Sequence, residues 1–265
     1  MMRHTISPCC RRLTGLVVAG PSVCPYFVVM VYLRSFIFNS LFYLVTAALV
    51  LILLPFLVLP VILTHWMGRL WAWTTQILLR IAGVRHRTSG DPLINDQVIY
   101  AAKHQSAWET IALIGYLRAP VPVLKRSLLL LPVIGLFFLK SGCIPVDRSA
   151  GMKALKAMRK SAIAHRDNGR SLLIFPQGTR VAPGTDHPYE IGVFALYDAT
   201  GLPVVPVALN SGHVWPRNSW RKYPGTVDVD FLEPIRPGLN RKEFMALLED
   251  RIETRMAALD QQTAA

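Results

Sequence analysis

Between Ser35 and Thr64 the chain runs for thirty residues without a charge: SFIFNSLFYLVTAALVLILLPFLVLPVILT. About 20 consecutive apolar residues are enough to cross a bilayer as a helix, so this run constrains the fold before anything else does. Pro55 and Pro60 interrupt it, and each lacks an amide donor and bends or ends a helix. Two arrangements meet these conditions. One is a single spanning helix near 35–54. The other is a helical hairpin broken at the prolines and dipping into one leaflet. Arg34 lies before the run, and Arg69, Arg80, Arg85 and Arg87 lie after it. Cations on both flanks give little orientation signal. Residues 65–83 mix Trp66, Trp71 and Trp73 with Arg69 and Arg80, the pattern of an interfacial amphipathic helix with its indoles at headgroup level.

The composition agrees with a membrane-associated protein, with 52% apolar and 17% charged residues. Lys and Arg outnumber Asp and Glu 29 to 16, a net charge of +13. Such a surface attracts phospholipid headgroups, phosphorylated substrates or nucleic acid. The aromatics do not alternate with the basic residues, and there is no zinc-finger spacing, RNP-like run or basic heptad, so no nucleic-acid partner is expected. Three of the four cysteines (Cys9, Cys10, Cys24) fall in the first 24 residues and Cys143 stands alone. That is no disulfide framework, and it suits a reducing compartment. Arg3, Arg11 and Arg12 precede an apolar patch, Leu16 to Ala19, too short for the core of an export signal. Met30 opens a more conventional start. Residues 1–29 are therefore expected to be disordered or to precede the true start, 30–83 to form the membrane-anchoring helices, and 84–265 to form the folded domain.

After Gly83 short apolar runs alternate with helical patterns. Strands are expected at 97–102, 121–124, 143–146, 171–175, 203–209 and 226–231, and helices near 106–117, 149–168, 190–200 and 240–258. Strands alternating with helices argue for an α/β domain. Pro206, inside a strand pattern, points to an edge or a bulge.

Three stretches could carry chemistry. In 103-KHQSAWET-110, Ser106 followed three residues later by Glu109 is a capping box. His104 is then either the last loop residue before a helix or a base with a carboxylate behind it. Five residues apart inside a regular helix, the two side chains would point about 140° apart. With His104 outside the helix they can meet. In 171-SLLIFPQGTR-180 a buried strand ends at Pro176, and ligands of open α/β sheets bind at the carboxyl ends of strands. Gly178 permits a tight turn and Arg180 offers a planar fork for phosphate. The alternative is an ordinary polar turn. In 124–148, Lys125 and Arg126 follow one strand and Arg148 follows the next. The apolar stretch 128–139 between them is either core or the lining of an acyl-chain slot.

Together these stretches resemble the lysophospholipid and glycerolipid acyltransferases, and among them the bacterial 1-acyl-glycerol-3-phosphate acyltransferases. That family's first block is His-x-x-x-x-Asp, and here His104-Gln-Ser-Ala-Trp-Glu109 stands in its place. The second block matches Lys125, Pro132, Gly135, Gly142 and Arg148. The third, Phe-Pro-Glu-Gly-Thr-Arg, matches Phe175-Pro176-Gln177-Gly178-Thr179-Arg180. The fourth matches Val205-Pro206-Val207. The likeness covers roughly residues 66–240. Three positions depart from it: Glu109 for Asp, Gln177 for Glu, and Tyr189-Glu190-Ile191-Gly192 where a lysine is common before the glycine.

The resemblance implies a glycerolipid-acyltransferase-like domain over 84–265, with a central mixed sheet flanked by helices and a membrane-embedded helix or hairpin before it. It implies transfer of an acyl group from acyl-CoA or acyl carrier protein to the sn-2 hydroxyl of lysophosphatidate, giving phosphatidate, with no cofactor and no metal. His104 would be the general base and Glu109 its orienter. Lys125, Arg126, Arg148, Gln177, Gly178, Thr179 and Arg180 would bind substrate. The acceptor and product are membrane lipids and thioester donors are cytosolic, which implies a bacterial inner-membrane enzyme with its domain on the cytoplasmic side. A different lysolipid or glycerol 3-phosphate as acceptor, or a membrane-binding homologue without activity, are the competing readings.

Overall fold

In a computed structural model of the chain, residues 25–264 are described. The extension read at 1–24 lies outside them. Residues 25–29, expected to belong to that extension, instead open helix α1, Pro25–Leu53. Proline suits the first helical position because its fixed φ is already helical, and the apolar sequence that follows it continues the helix without a break. A 3₁₀ turn, Leu54–Val58, contains Pro55, and Pro60 immediately precedes α2, Val61–Leu79. The two helices pack as a hairpin. Phe42 lies 6.3 Å from Trp71, whose indole Nε1 donates to Thr46 Oγ1 at 3.0 Å. Both prolines lie at the turn between two packed helices, as the hairpin arrangement expects, and α1 is also long enough for the single span. The amphipathic stretch at 65–83 is not a separate element but most of α2. Trp66 and Trp73 are exposed on it while Trp71 turns inward.

Pro25–Val58 is long and apolar enough to cross a membrane. Its outer face presents Leu33, Phe36, Tyr43, Leu44 and Leu51, all more than half exposed. On α2, Ile62, Trp66, Leu70, Trp73 and Ile77 repeat at helical spacing and are exposed as well. This is far more apolar surface than isolated surface residues contribute, and it marks a lipid or partner contact.

The rest of the chain builds a seven-stranded sheet among the described residues: β1 (Val84–Ser89), β2 (Ile99–Ala102), β3 (Val121–Lys125), β4 (Ile144–Val146), β5 (Leu172–Ile174), β6 (Val204–Leu209) and β7 (Gly225–Phe231), in the order β1-β7-β6-β2-β5-β3-β4. All neighbours are parallel except β6 and β7. This is the mixed sheet the resemblance implied. Strands β2 to β6 therefore end at one edge, which places the segments after β2, β3, β4 and β5 side by side.

The period-two pattern of the buried strands divides two cores. Ile99 and Ala101 of β2 enter one, and Tyr100 and Ala102 the other. The first is covered by α5 (Gly151–Asp167), α6 (Gly192–Thr200) and α7 (Arg241–Ala264). Helix α7 contributes Phe244, Leu248, Ile252, Met256 and Leu259 from a single stripe. The second core is covered by α3 (Trp108–Tyr116) and by Leu79 of α2 and Phe38 of α1. The hairpin thus belongs to the fold rather than hanging from it.

Two elements were not expected from the sequence. Strand β1, VRHRTS, buries only Val84 and has an edge position, where charged residues are tolerated and discourage further pairing. Helix α4, Ile134–Ser141, lies within the apolar stretch whose proline and glycine obscured it. Gly135 is needed there because a Cβ would collide with the Leu129 carbonyl. Pro206 sits in a central strand, so the edge reading fails, and β6 keeps regular register with β2 through it; the irregularity lies in the segment after β7. Val204 pairs with Ile235 and Val207 with Phe231, so two residues of β6 face three of the other strand.

Candidate active site

The turn after β2 carries His104, and the first turn of α3 carries Glu109. His104 Nδ1 lies 2.8 Å from Glu109 Oε1. The same oxygen accepts the amides of Gln105 and Ser106, each at 2.7 Å, while Oε2 accepts the hydroxyls of Ser106 at 3.0 Å and Ser211 at 2.6 Å. Ser106 Oγ in turn accepts the Trp108 amide at 2.8 Å. Glu109 thus bonds back to the Ser106 amide as the third residue of a capping box does, while the Ser106 hydroxyl takes the Trp108 amide instead of that of Glu109, and one carboxylate serves both the helix start and the histidine.

Glu109 is fully buried. Burial alone would push its carboxyl up. The hydrogen bond and charge of His104, the Ser211 hydroxyl and the Ser106 amide outweigh that and hold it below the usual glutamate range. An ionised carboxylate only accepts, so the proton of the neutral imidazole sits on Nδ1 and leaves Nε2 bare. The ring stacks on Phe175, centroids 4.1 Å apart. It faces a cleft of about 680 Å³ at the carboxyl edge of the sheet.

The chain on either side of His104 is fixed from three directions. The Lys103 amide bonds to the Val207 carbonyl, and the Val181 amide to the His104 carbonyl, both across the strand ends. The Lys103 ammonium is buried and paired with both oxygens of Glu253 on α7, at 2.6 and 2.8 Å. The Tyr189 hydroxyl donates to that same glutamate at 2.7 Å. Gln177, buried, accepts the His104 amide through Oε1 at 3.4 Å, while its Nε2 meets no partner among the described residues.

The cations gather opposite the imidazole. Lys125, Arg148 and Arg180 all line the cleft, with Gly178 and Thr179 between them. Arg148 donates to the Gly178 carbonyl. Gly178 has φ +66°, a left-handed conformation that glycine adopts without strain, and Arg148 packs where a Cβ would go. Arg126 does not join them. It is exposed on the 3₁₀ turn after β3, near Asp147, whose carboxyl is lowered first by Ser149 and only weakly by Arg126. Gln177 lies behind the cleft rather than in it.

A match to the acyltransferase family model spans residues 83–210. A 1-acyl-sn-glycerol-3-phosphate acyltransferase from Pseudomonas aeruginosa is 39% identical over 158 residues, covering 59% of this chain and 60% of that relative. One from Haemophilus influenzae is 30% identical over 210 residues, covering 77% of this chain and 84% of that protein. The chain belongs to the acyltransferase family. It spans three-fifths of the Pseudomonas relative's length and most of the Haemophilus one's. The crystal structure of a 1-acyl-sn-glycerophosphate (LPA) acyltransferase from Thermotoga maritima superposes with a TM-score of 0.69. It covers 89% of this chain and 96% of that one at 19% identity, which establishes the shared fold.

Several groups in this member of the family lie beyond what the sequence motifs point to. Ser211 lies 102 residues beyond the glutamate it bonds, and Glu253 lies 150 beyond Lys103. No local spacing announces either. Arg217, Asn218 and Glu190 also line the cleft. Glu190 stands where the family pattern led us to look for a lysine.

Proposed function

We propose that the protein transfers an acyl group from acyl-CoA or acyl carrier protein to the sn-2 hydroxyl of 1-acyl-glycerol 3-phosphate, giving phosphatidate. The observation that carries this reading is the histidine whose Nδ1 is held by a buried carboxylate and whose other face looks into a cation-lined cleft. His104 Nε2 takes the proton of the acceptor hydroxyl as its oxygen attacks the thioester carbonyl. The tetrahedral intermediate collapses by breaking the C–S bond, and the imidazolium returns the proton to the departing thiolate. Glu109 steadies the imidazolium and holds the ring in its productive tautomer, with the substrate alcohol taking the nucleophile's part of a triad. The amides of Thr179 and Arg180 follow the left-handed Gly178 and meet no protein acceptor among the described residues. They suit an oxyanion or a phosphate oxygen. Lys125, Arg148 and Arg180 supply charge for the acceptor phosphate.

A second cavity, of about 180 Å³, lies between the hairpin and α4. It is walled by Leu49, Val50, Leu53 and Phe137 and shares Ile114, Pro122 and Phe138 with the first. An acyl chain reaching from the cleft into this slot stays out of water while the headgroup meets the cations. The hairpin is read as dipping into one leaflet of a bacterial inner membrane with both ends on the cytoplasmic side, where thioester donors are found.

Purified, detergent-solubilised protein incubated with a labelled acyl donor and a panel of acceptors tests the reaction. Label in phosphatidate supports it. Label only in the products of glycerol 3-phosphate or an aminolipid would replace it with the corresponding acyltransferase. Cysteines introduced at Tyr26 and Ser89, both exposed, test the topology in an otherwise cysteine-free chain. Labelling of position 26 from outside intact cells would mean a single span.

A further inference from the structure

The cleft carries one cation that belongs to none of the motif stretches. Arg217 sits in the turn Pro216–Ser219, closed by the Ser219 amide on the Pro216 carbonyl at 3.2 Å, with Asn218 left-handed at φ +57°. Its Nη1 donates to the carbonyl of Arg180 at 2.7 Å, and it pairs with no carboxylate among the described residues. The guanidinium therefore lies against the Arg180 loop with donors to spare.

The turn is pinned on both sides. Before it, Ser211 bonds Glu109, the Gly212 amide donates to Gln105 at 2.9 Å, and His213 lies 2.8 Å from Asp260 of α7. After it, the chain is strapped to the first helix. Ser35 Oγ accepts the Lys222 amide at 2.8 Å and donates to the Lys222 carbonyl. Asn39, one turn along α1, donates to the Trp220 carbonyl at 2.7 Å and accepts the Lys222 ammonium at 3.1 Å. That ammonium also donates to the Trp220 carbonyl at 2.8 Å and lies 4.4 Å from the centre of the Trp215 ring. Tyr32 packs edge-on against Trp220, and Phe38 against Trp215.

This strap explains a feature of the sequence that membrane insertion alone does not. Ser35 and Asn39 are polar side chains in a charge-free, apolar run, and both turn toward the domain instead of toward the exposed apolar face. Lys222 is almost fully buried, and burial lowers its ammonium to about 8. A buried cation held by two oxygens and an aromatic face costs too much to be incidental.

From this geometry we infer that Arg217 is a further binding residue for the phosphate of the acceptor, and that α1, through Ser35, Asn39 and Lys222, is its positioning element. The inference rests on the reading of the reaction given above. Helix α1 then has two separable duties. Its outer face holds lipid, and its inner polar pair holds the turn that completes the headgroup site. Arg217 is the cation with the most distant support, because its place depends on the helix as well as on the sheet edge.

The test is a two-substrate kinetic analysis of the full chain in detergent or vesicles, with lysophosphatidate and a fixed thioester donor varied in turn. Arg217→Ala is expected to raise KM for lysophosphatidate at least tenfold while KM for the donor moves less than twofold. Arg217→Lys is expected to recover part of the loss. Asn39→Leu, an apolar replacement in an apolar helix, is expected to raise the same KM about threefold or more, with the membrane-bound fraction unchanged and the melting temperature lowered because the Lys222 ammonium loses an acceptor. Lys222→Met serves as a second probe of the strap if it folds, and the Asn39 variant decides alone if it does not. An unchanged KM for lysophosphatidate in Arg217→Ala, or a rise confined to the donor, would overturn the assignment. An unchanged KM in Asn39→Leu would overturn the part given to α1. If the wild-type protein turns over other acceptors but not lysophosphatidate, the functional reading itself has failed, an outcome that no variant is needed to recognise.

Discussion

The two walls of the cleft are built in opposite ways. On one, Glu109 is fully buried and five donors converge on its two oxygens, so the imidazole beside it has a single place to be. On the other, Lys125 and Arg217 are exposed, Arg180 is partly so, and their contacts are with main chain or with none. The contrast follows from what each wall does. Proton transfer needs a position held to a fraction of an ångström before substrate arrives. A phosphate is a diffuse target that mobile cations can follow, and cations left in water carry a smaller desolvation cost. The rigid wall should therefore govern turnover and the adaptable wall apparent affinity.

Substitutions should separate the two. His104→Ala removes the base, and kcat is expected to fall at least a hundredfold with the melting temperature little changed, checked by steady-state assay beside thermal denaturation. Glu109→Gln is expected to lose nearly as much. The amide neither stabilises an imidazolium nor sets its tautomer, although it still serves a capping box. Near-normal turnover in that variant would remove Glu109 from the mechanism and leave it only its cap. Arg180→Ala, on the adaptable wall, is expected to raise KM for the phosphorylated acceptor about tenfold with a smaller change in kcat, because its contact exists in ground and transition states alike. An effect on kcat alone would mean that the cation acts on the developing charge instead. Ser106→Ala is expected to cost only roughly 0.5–2 kcal/mol, the usual worth of a cap, measured by denaturant titration.

The smallest effect concerns pH. The Glu109 carboxyl is lowered in the folded chain, so its contribution to stability is complete above the unfolded value of about 4.3 and is lost as pH falls through the folded value. The stability gap between the wild type and Glu109→Gln should therefore shrink as pH drops below about 4. A gap that stays constant there would mean that the carboxylate is not preferentially ionised in the fold.

How far each wall could be read from the sequence follows the same division. The dyad lies within six residues, so a capping pattern and a loop histidine showed that the two side chains could meet, and the family resemblance supplied their roles. The alternating strand patterns were equally local, and they place the segments after β3, β4 and β5 at one edge once the strands are parallel. What the sequence concealed is what arrives from far along the chain. Ser211 reaches Glu109 only because β6 lies beside β2, and Arg217 enters only because α1 holds the turn that follows. Strand β1 was hidden by its own charges, which an edge tolerates and a pattern search rejects. The fate of Trp71 was equally hidden. Its indole was expected at the headgroups and instead finds Thr46, because helix packing chooses which of three similar rings turns inward.

The pairing of Lys103 with Glu253 also bears on the order in which such a chain becomes an enzyme. Lysine leaves the ribosome 150 residues before its carboxylate. Until helix α7 is synthesised, the ammonium beside His104 has no carboxylate partner and stays in water, and the sheet face that α7 covers lies open. The hairpin precedes the sheet strands in the chain, so it can form while the site is still open. The wall that carries His104 is complete only when helix α7 supplies Glu253.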